Sequence, residues 1–468
     1  MTLQTTRRAT LASAGAATAA LVSAPRLRAA GELDVIVIGA GLSGLLAAQI
    51  LEDGGLSVRV IEANSRVGGR VRTLLDKPQT PESGGSEVGP LYARVIDQLD
   101  KFGLVRRPWQ IEQIDFALNV GGTLMKAADW PASPLNKLPE SMRGLPLPAL
   151  NAMLMPRPSG LAELDSWLEE SRNDPDPSLR EHFISKGANE EALRFLELLG
   201  QADSLDGESM LWARRNQKIS EWGRGQGPFN HVVGGMSRLP MAMAEALDGD
   251  VVMNTPVSAL SADEAGVTVT TSDGKQHRAR FVVCTLPAPV LRGIKFDPLL
   301  PALQAEAVAS IPFGQSTSVF FAIKDRFWET DGMGSSLWTD GPAGRAYHWL
   351  IPGGEYVWMY LTGIASKPIR AFTEAQIIAY ASQQLVTARP SMAGRIEPIA
   401  AVNWSANPWS RGTFSYRAPG QIAKYGNIAA QAHGRIHFAG EHTAVMQSGM
   451  EGAMESGERA ALEILQRL

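Results

Sequence analysis

Four consecutive apolar residues, Val35-Ile36-Val37-Ile38, run directly into Gly39-Ala40-Gly41-Leu42-Ser43-Gly44, and no other stretch limits the folding of this chain so tightly. Such a run ending in a glycine turn reads as a buried parallel strand feeding a helix. Each glycine has its own reason. Gly39 permits the tight turn, Gly41 lets backbone approach a pyrophosphate, and Gly44 lets helix pack closely on strand. The pyrophosphate rests on amides of the first helical turn, around Ser43, where the helix dipole favours negative charge. Gly54-Gly55 marks the helix stop, and Val58-Arg59-Val60-Ile61 is the next strand. Glu62, followed by Ala63, stands where an acid accepts hydrogen bonds from a ribose 2′-hydroxyl. The pattern predicts a dinucleotide site for FAD or NAD rather than NADP.

At 468 residues the chain can hold two intimately connected domains with a large core. A net charge of −4 gives no reason to expect nucleic acid or anionic membrane as a partner, and nothing after residue 30 reads as a transmembrane segment. Arg7-Arg8, the Ala/Thr/Ser-rich run to Ala24 and the stretch Pro25 to Ala30 read as a twin-arginine signal over residues 1–30. That predicts a periplasmic or secreted protein, with cleavage near Ala29 or Ala30; a basic disordered tail is the other reading. Cys284 is the single cysteine, so no intramolecular disulfide can form. Export of a chain already folded around a cofactor loaded in the cytoplasm explains that economy. Cys284 closes the apolar strand Phe281-Val282-Val283-Cys284 and reads as a small buried hydrophobe rather than a nucleophile.

The dinucleotide unit occupies about residues 31–90. A Pro-, Leu- and Met-rich passage from Trp130 to Pro158 reads as a loop packed on its own side chains, with an access lid as the alternative. Helical periodicity returns at Leu161 to Glu170 and Glu190 to Leu199. From Val251 the chain turns to strands: Val267-Thr268-Val269-Thr270 alternates, Asp273-Gly274 marks a hairpin, and Arg278 to Thr285 returns. Strands and helices mix again from Asp297 to Tyr416. Arg435 to Gly440 is then a short strand leading to a helix with Met450, Ala453, Met454, Gly457, Ala461 and Ile464 on one face.

Taken in order, Gly39 to Gly44, Ile61-Glu62-Ala63, Arg66-Val67-Gly68-Gly69-Arg70, Gly84-Gly85, Phe438-Ala439-Gly440-Glu441-His442-Thr443 and Met450-Glu451-Gly452-Ala453 resemble the flavin amine oxidase family. That family includes monoamine, polyamine and L-amino-acid oxidases and bacterial nicotine-type amine oxidases. The resemblance implies an α/β fold. A Rossmann-like FAD-binding domain (31–90, 231–296 and 425–468) interleaves with a mixed-sheet and helical substrate domain (91–230 and 297–424). It also implies that Glu62 holds the adenosine ribose, Gly41 and Gly44 the pyrophosphate, and Val257 the adenine through its backbone. Gly69 and Arg70, with Arg66 nearby, fall near the ribityl chain and flavin. Gly440 and Glu441 approach the pyrophosphate side, and amides around Met450 face the flavin O2, where a helix N-terminus favours negative charge.

Two departures from the family are informative. Covalent monoamine oxidases carry a cysteine after a glycine that follows a W-x-x-x-P segment. Here Trp404 to Gly412 is followed by Thr413, so no thioether forms and FAD is expected to bind non-covalently. Of the two aromatic residues that flank the substrate amine, Phe414 supplies one wall. The other falls at Gly449 or Met450, where the sequence is one residue short. Lys295, in Ile294-Lys295-Phe296-Asp297-Pro298, is the counterpart expected for the lysine that holds water near flavin N5, with Arg292 next in line. Trp404, Trp409 and Tyr416 are further candidates for an apolar slot around the neutral amine. Amino-acid oxidases of the family place an arginine for the substrate carboxylate after a G-P pair. Gly89-Pro90-Leu91 is followed here by Tyr92, which favours an amine without an α-carboxylate.

The implied reaction is FAD-dependent oxidation of an amine to an imine that water hydrolyses. O2 and a periplasmic cytochrome c are alternative electron acceptors, and a monomer and a homodimer alternative assemblies. The chain has no G-x-x-x-x-G-K-[ST], H-E-x-x-H or G-x-S-x-G, and its seven histidines are scattered, so no metal is expected. An L-amino-acid oxidase and a non-catalytic FAD-binding module are the competing readings; a NAD-linked dehydrogenase gives the G-E-H-T segment no role. Two tests follow. Acid precipitation of the purified protein leaves a yellow supernatant, whereas flavin in the pellet contradicts the Thr413 argument. Replacing Arg7 and Arg8 by lysine leaves folded, flavin-loaded protein in the cytoplasm, and unchanged periplasmic activity refutes twin-arginine export.

Overall fold

The computed structural model describes residues 33–468 except 110–114, 159–162, 164, 171–172, 201 and 352–353, so the segment read as an export signal lies outside the described residues. The first strand, Leu33–Ile38, is flanked in parallel by Val58–Ile61 and Gln276–Cys284, with Val37 opposite Val60 on one side and Val283 on the other. Its run is apolar on both faces because each face meets a different core. Val35 and Val37 pack with Leu45, Ala48 and Ala461 of two helices, while Ile36 and Ile38 pack with Leu260, Val282, Ile311 and Phe438. Side chains alternate across a strand, so four consecutive hydrophobes fill two cores.

The sheet runs Lys295–Asp297, Val257–Ala262, Val267–Thr271, Gln276–Cys284, Leu33–Ile38, Val58–Ile61, Val251–Val252. The nine-residue strand Gln276–Cys284 has two partners besides Leu33–Ile38: its first half pairs antiparallel with Val267–Thr271, and its end pairs parallel with Ile436–Phe438. Asp273-Gly274 makes the turn of that hairpin, as its sequence implied. Cys284 is buried in this strand, and burial raises its thiol to about 12, which leaves it unreactive.

Two helices cover one face of the sheet, Leu42–Asp53 and the last helix, Gly449–Leu465. They approach backbone to backbone. A methyl group on Gly457 would lie 2.2 Å from the Ser43 carbonyl oxygen, and one on Gly44 would lie 2.0 Å from that of Gly39. Their N-termini consequently open on the same space.

A second sheet of seven strands runs Ile396–Asn403, Ser316–Ile323, Gly354–Thr362, Arg345–Ile351, Ser336–Thr339, Phe116–Val120, Thr123–Lys126. It is antiparallel apart from the pair Ser336–Thr339 and Phe116–Val120. In Gly354–Thr362, Val357, Met359 and Leu361 pack on Ile377, Ala381 and Leu385 of helix Glu374–Ala388. By the same alternation Trp358 and Tyr360 point away from that core. The passage from Trp130 to Pro158, read as a loop packed on its own side chains, instead contains the helix Leu147–Leu154, and Trp130, Leu138, Met142, Leu150 and Leu154 are buried against Phe183 and Phe195 of the helices that follow.

Candidate cofactor and substrate site

The two helix starts, the Arg66–Val71 loop, the segment Glu82–Ser86 and the strand Gly354–Thr362 enclose one elongated cavity. Gly39, Gly41, Ser43, Glu62, Ala63, Arg66, Gly69, Arg70 and Val257 line one end. Gly440, Glu441, Gly449, Met450, Trp404, Trp409 and Phe414 continue the wall.

The residues at the first end fit a dinucleotide. At Gly39, with φ of +104°, an added methyl would meet Thr285 Oγ1 at 2.5 Å, so this turn requires glycine. At Gly41 the same methyl would meet nothing within 4 Å, so its lack of a side chain answers no packing need and leaves room for a ligand. Neither helix N-terminus is capped by a side chain, which leaves amide donors of both first turns facing the cavity. One suits a pyrophosphate and the other the flavin C2=O edge. When bound, FAD supplies the hydride acceptor at N5.

Glu62 binds the glycine turn to the second strand: Oε2 accepts from Ala40 N at 2.7 Å and Oε1 from Asn64 N at 2.7 Å. Each oxygen keeps a lone pair for a ribose hydroxyl. Arg66 donates to the carbonyls of Val67, Val71 and Gly69 at 3.1, 3.2 and 2.6 Å and so shapes the loop that carries Gly69 and Arg70. Burial, helped by Arg72, lowers its guanidinium to about 10, so it stays charged at neutral pH.

Glu441 joins the two ends of the chain. Its Oε1 accepts from Ser415 N and Oγ at 2.6 and 2.7 Å, and its Oε2 pairs with Arg70 Nη1 at 3.0 Å. Burial pushes its carboxyl up, but Arg70, His442 and the Ser415 bonds outweigh it and hold the group below its ordinary range. Arg70 also donates to the Thr413 carbonyl. Thr413 Oγ1 and Phe414 O bond the Gly314 backbone at 2.9 Å each. Phe414 is thereby fixed on the cavity wall.

Several expected residues stand elsewhere. Lys295 is an exposed residue of an edge strand, outside the cavity lining, because Phe296 and Ile294 pack inward and alternation turns the lysine out. Arg292 donates to the carbonyls of Val308 and Ile311 at 3.1 and 2.6 Å, a structural role. Gly44 makes the close helix–strand approach and does not line the cavity. Tyr92 lies behind Gly449, its hydroxyl 3.6 Å from where a Gly449 methyl would be. Tyr416 lies outside the cavity lining, packed with Trp167 and Trp212, and its hydroxyl accepts from Asp203 N at 3.3 Å. Trp404 lines the wall with its indole N–H fixed on the Ser83 carbonyl at 2.7 Å. The cavity's aromatic end is completed by Trp358 and Tyr360, whose rings lie 4.7 Å apart and tilted at 40°, and which the sequence reading did not single out. Their i, i+2 spacing in Tyr356-Val357-Trp358-Met359-Tyr360-Leu361 was the available signal.

A family model described as flavin containing amine oxidoreductase matches residues 42–465. The chain belongs to that family. It is an FAD-dependent amine oxidoreductase. It is 27% identical to an L-amino-acid oxidase of Siganus canaliculatus over 92% of this chain and 85% of the relative. Human amine oxidase [flavin-containing] B is 26% identical over 92% of this chain and 86% of its own length. Among solved structures, cyclohexylamine oxidase from Brevibacterium oxydans IH-35A superposes with a TM-score of 0.76 at 24% identity, covering 93% of this chain and 99% of that one. A putrescine oxidase double mutant gives 0.72 at 23% identity over 93% and 99%. These two likenesses are of fold.

The oxidoreductase's Arg70–Glu441 pair has a testable pH signature. A carboxyl held low by its partner contributes stability that is present above its unfolded pKa and lost as pH falls through the folded value. Arg70→Ala removes the cation that most offsets burial and leaves Glu441 the Ser415 bonds and its neighbour His442, so its carboxyl rises and the cost of the substitution grows as pH rises from 4 to 7. Arg70 is partly exposed, and we expect about 1–3 kcal/mol at pH 7, below the usual cost of breaking a fully buried pair. Thermal unfolding of the two proteins at both pH values measures it; a gap independent of pH removes the ion pair from the account.

Proposed function

We propose that this oxidoreductase takes hydride from the carbon beside the nitrogen of an amine that lacks an α-carboxylate, giving an imine that water hydrolyses to a carbonyl compound. The observation that carries this is the composition of the cavity wall. Its aromatic end is formed by Phe414, Trp358, Tyr360 and Trp404, and its arginines, Arg66 and Arg70, belong to the glycine loop at the cofactor end, tied to backbone carbonyls and Glu441. No arginine among the described lining residues stands at the aromatic end to receive a carboxylate. Apolar rings there exclude water and orient an uncharged amine beside the flavin.

The same reading holds FAD without a covalent bond, because Thr413 occupies the position of the tethering cysteine. It places the protein in the periplasm by twin-arginine export, with O2 or a cytochrome c as electron acceptor. The described residues hold no helix long and apolar enough to cross a membrane.

An anaerobic stopped-flow panel of paired substrates tests the proposal. Alkyl and aromatic amines bleach the flavin faster than the corresponding α-amino acids by tenfold or more. Rapid bleaching by amino acids alone assigns an L-amino-acid oxidase instead, and no bleaching by either a non-catalytic flavin-binding protein. Reoxidation by air or by cytochrome c in the same apparatus identifies the acceptor.

A further inference from the structure

Gly449 is a gap in the cavity wall. It is an exposed residue that lines the cavity at the start of the last helix. Apart from its chain neighbours and its own helix backbone, a methyl group built on it would have one atom within 4 Å, the Tyr92 hydroxyl at 3.6 Å. A side chain inside a packed protein touches atoms on every side, so this point lies in open space, and the open space at Gly449 is the cavity. The Tyr92 hydroxyl borders that space, reached past a residue with no side chain to cover it. A φ of +59° explains glycine at the turn; it does not explain the hydroxyl standing beside it.

Tyr92 is held so that the hydroxyl is its free end. Its amide donates to the Gly89 carbonyl at 3.1 Å, and its carbonyl accepts from Ile96 N at 2.8 Å as helix Ala93–Lys101 begins. The ring lies along Gly89, where an added methyl would meet its Cε1 and Cδ1 at 3.3 and 3.4 Å, and it packs against the core that holds Val95, Met450 and Met454. The hydroxyl has no hydrogen bond to any described residue. Burial pushes the phenol up to about 12, helped by the charges of Glu87 and Glu451, so it stays a neutral O–H donor. Glu451 is itself taken by Arg94 and by the amides of Arg94 and Val95. A desolvated hydroxyl without an acceptor is costly, and the cavity is the side from which an acceptor can come.

Resting on the amine reading above, we propose that Tyr92 is a specificity-determining residue, donating a hydrogen bond through the Gly449 gap to an uncharged oxygen of the substrate. The amine nitrogen is not that partner, because a lone pair engaged by an O–H is withheld from the carbon that gives up hydride. The acceptor is therefore a second group. A second ammonium has no lone pair to offer, and a carboxylate would face the negative charges of Glu87 and Glu451. The class that fits is an amine bearing a hydroxyl or ether oxygen. A site with a desolvated donor favours the ligand that fills it over one that leaves it unpaired.

The test uses the FAD-loaded protein and alkylamines of one chain length in which an ether oxygen replaces each methylene in turn, with the plain alkylamine as reference. The second-order rate of anaerobic flavin reduction is measured for each, and the readout is the ratio of ether to alkylamine within one protein, so a general loss from altered packing cancels. Wild type favours the ether at one position of the oxygen. Tyr92→Phe keeps the FAD content and visible spectrum and lowers that ratio about fivefold or more, leaving the ratios at other positions as they were. Gly449→Ala, measured on its FAD-loaded fraction, lowers the same ratio with the hydroxyl still present, because its methyl stands between hydroxyl and cavity. Ratios that match wild type at every position in either variant overturn the proposal, and so does a wild type that favours the ether at none; bleaching by the plain alkylamine then leaves the amine reading standing. If no amine bleaches the wild type, the amine reading itself falls, and this proposal with it.

Discussion

The site depends on one buried carboxylate. Glu441 is 3% exposed, and an ion so placed costs several kcal/mol unless its partners restore what water supplied. Here the partners come from two distant parts of the chain, the Arg70 guanidinium after the first two strands and the Ser415 amide and hydroxyl after the second sheet, while Glu441 itself follows the Gly440 turn that leads to the last helix. Satisfying one charge therefore sets the positions of the glycine loop, the Phe414 wall and the final helix together. The pair stabilises less by its own energy than by the arrangement it enforces, because displacing any partner leaves the charge uncompensated.

A second buried network places the start of that last helix. Glu455 accepts from the amides of Val445, Met446 and Gln447 at 2.7, 3.0 and 2.9 Å, and Arg215 donates to the carbonyls of Val445 and Gln447 at 3.0 and 2.8 Å. Desolvation lowers the fully buried Arg215 to about 10, yet it remains a cation, held over the Trp212 ring at 4.6 Å. Residues 445–447 thus have their backbone groups held by an acid from the helix that follows and a base from helix Met210–Gly223. The Gly449 turn, with φ of +59°, then points the first amides of the last helix at the cavity. An uncapped helix start remains available to a ligand only if the preceding loop is held by something else, and these two residues do that.

How far the sequence spoke depends on whether a feature is local. The strand, glycine turn, helix and Glu62 are set by contacts within about thirty residues, and each glycine's reason can be read from its neighbours; the structure places them on one cavity wall. Lys295 shows the opposite case. The motif around it was recognisable, but which face of an edge strand looks inward is decided by what covers the sheet, and Phe296, packed 6.1 Å from the Phe438 ring, takes that face. Arg66 was visible as part of the glycine loop, while its function of holding three carbonyls needed the loop's shape.

Trp358 and Tyr360 were illegible for a further reason. Tryptophan and tyrosine in a strand are ordinarily core, and here the core of the second sheet takes their neighbours, Met359 and Leu361, instead. The two rings are left for the cavity because the FAD-binding sheet, built from distant segments, stands where solvent or another layer would otherwise be.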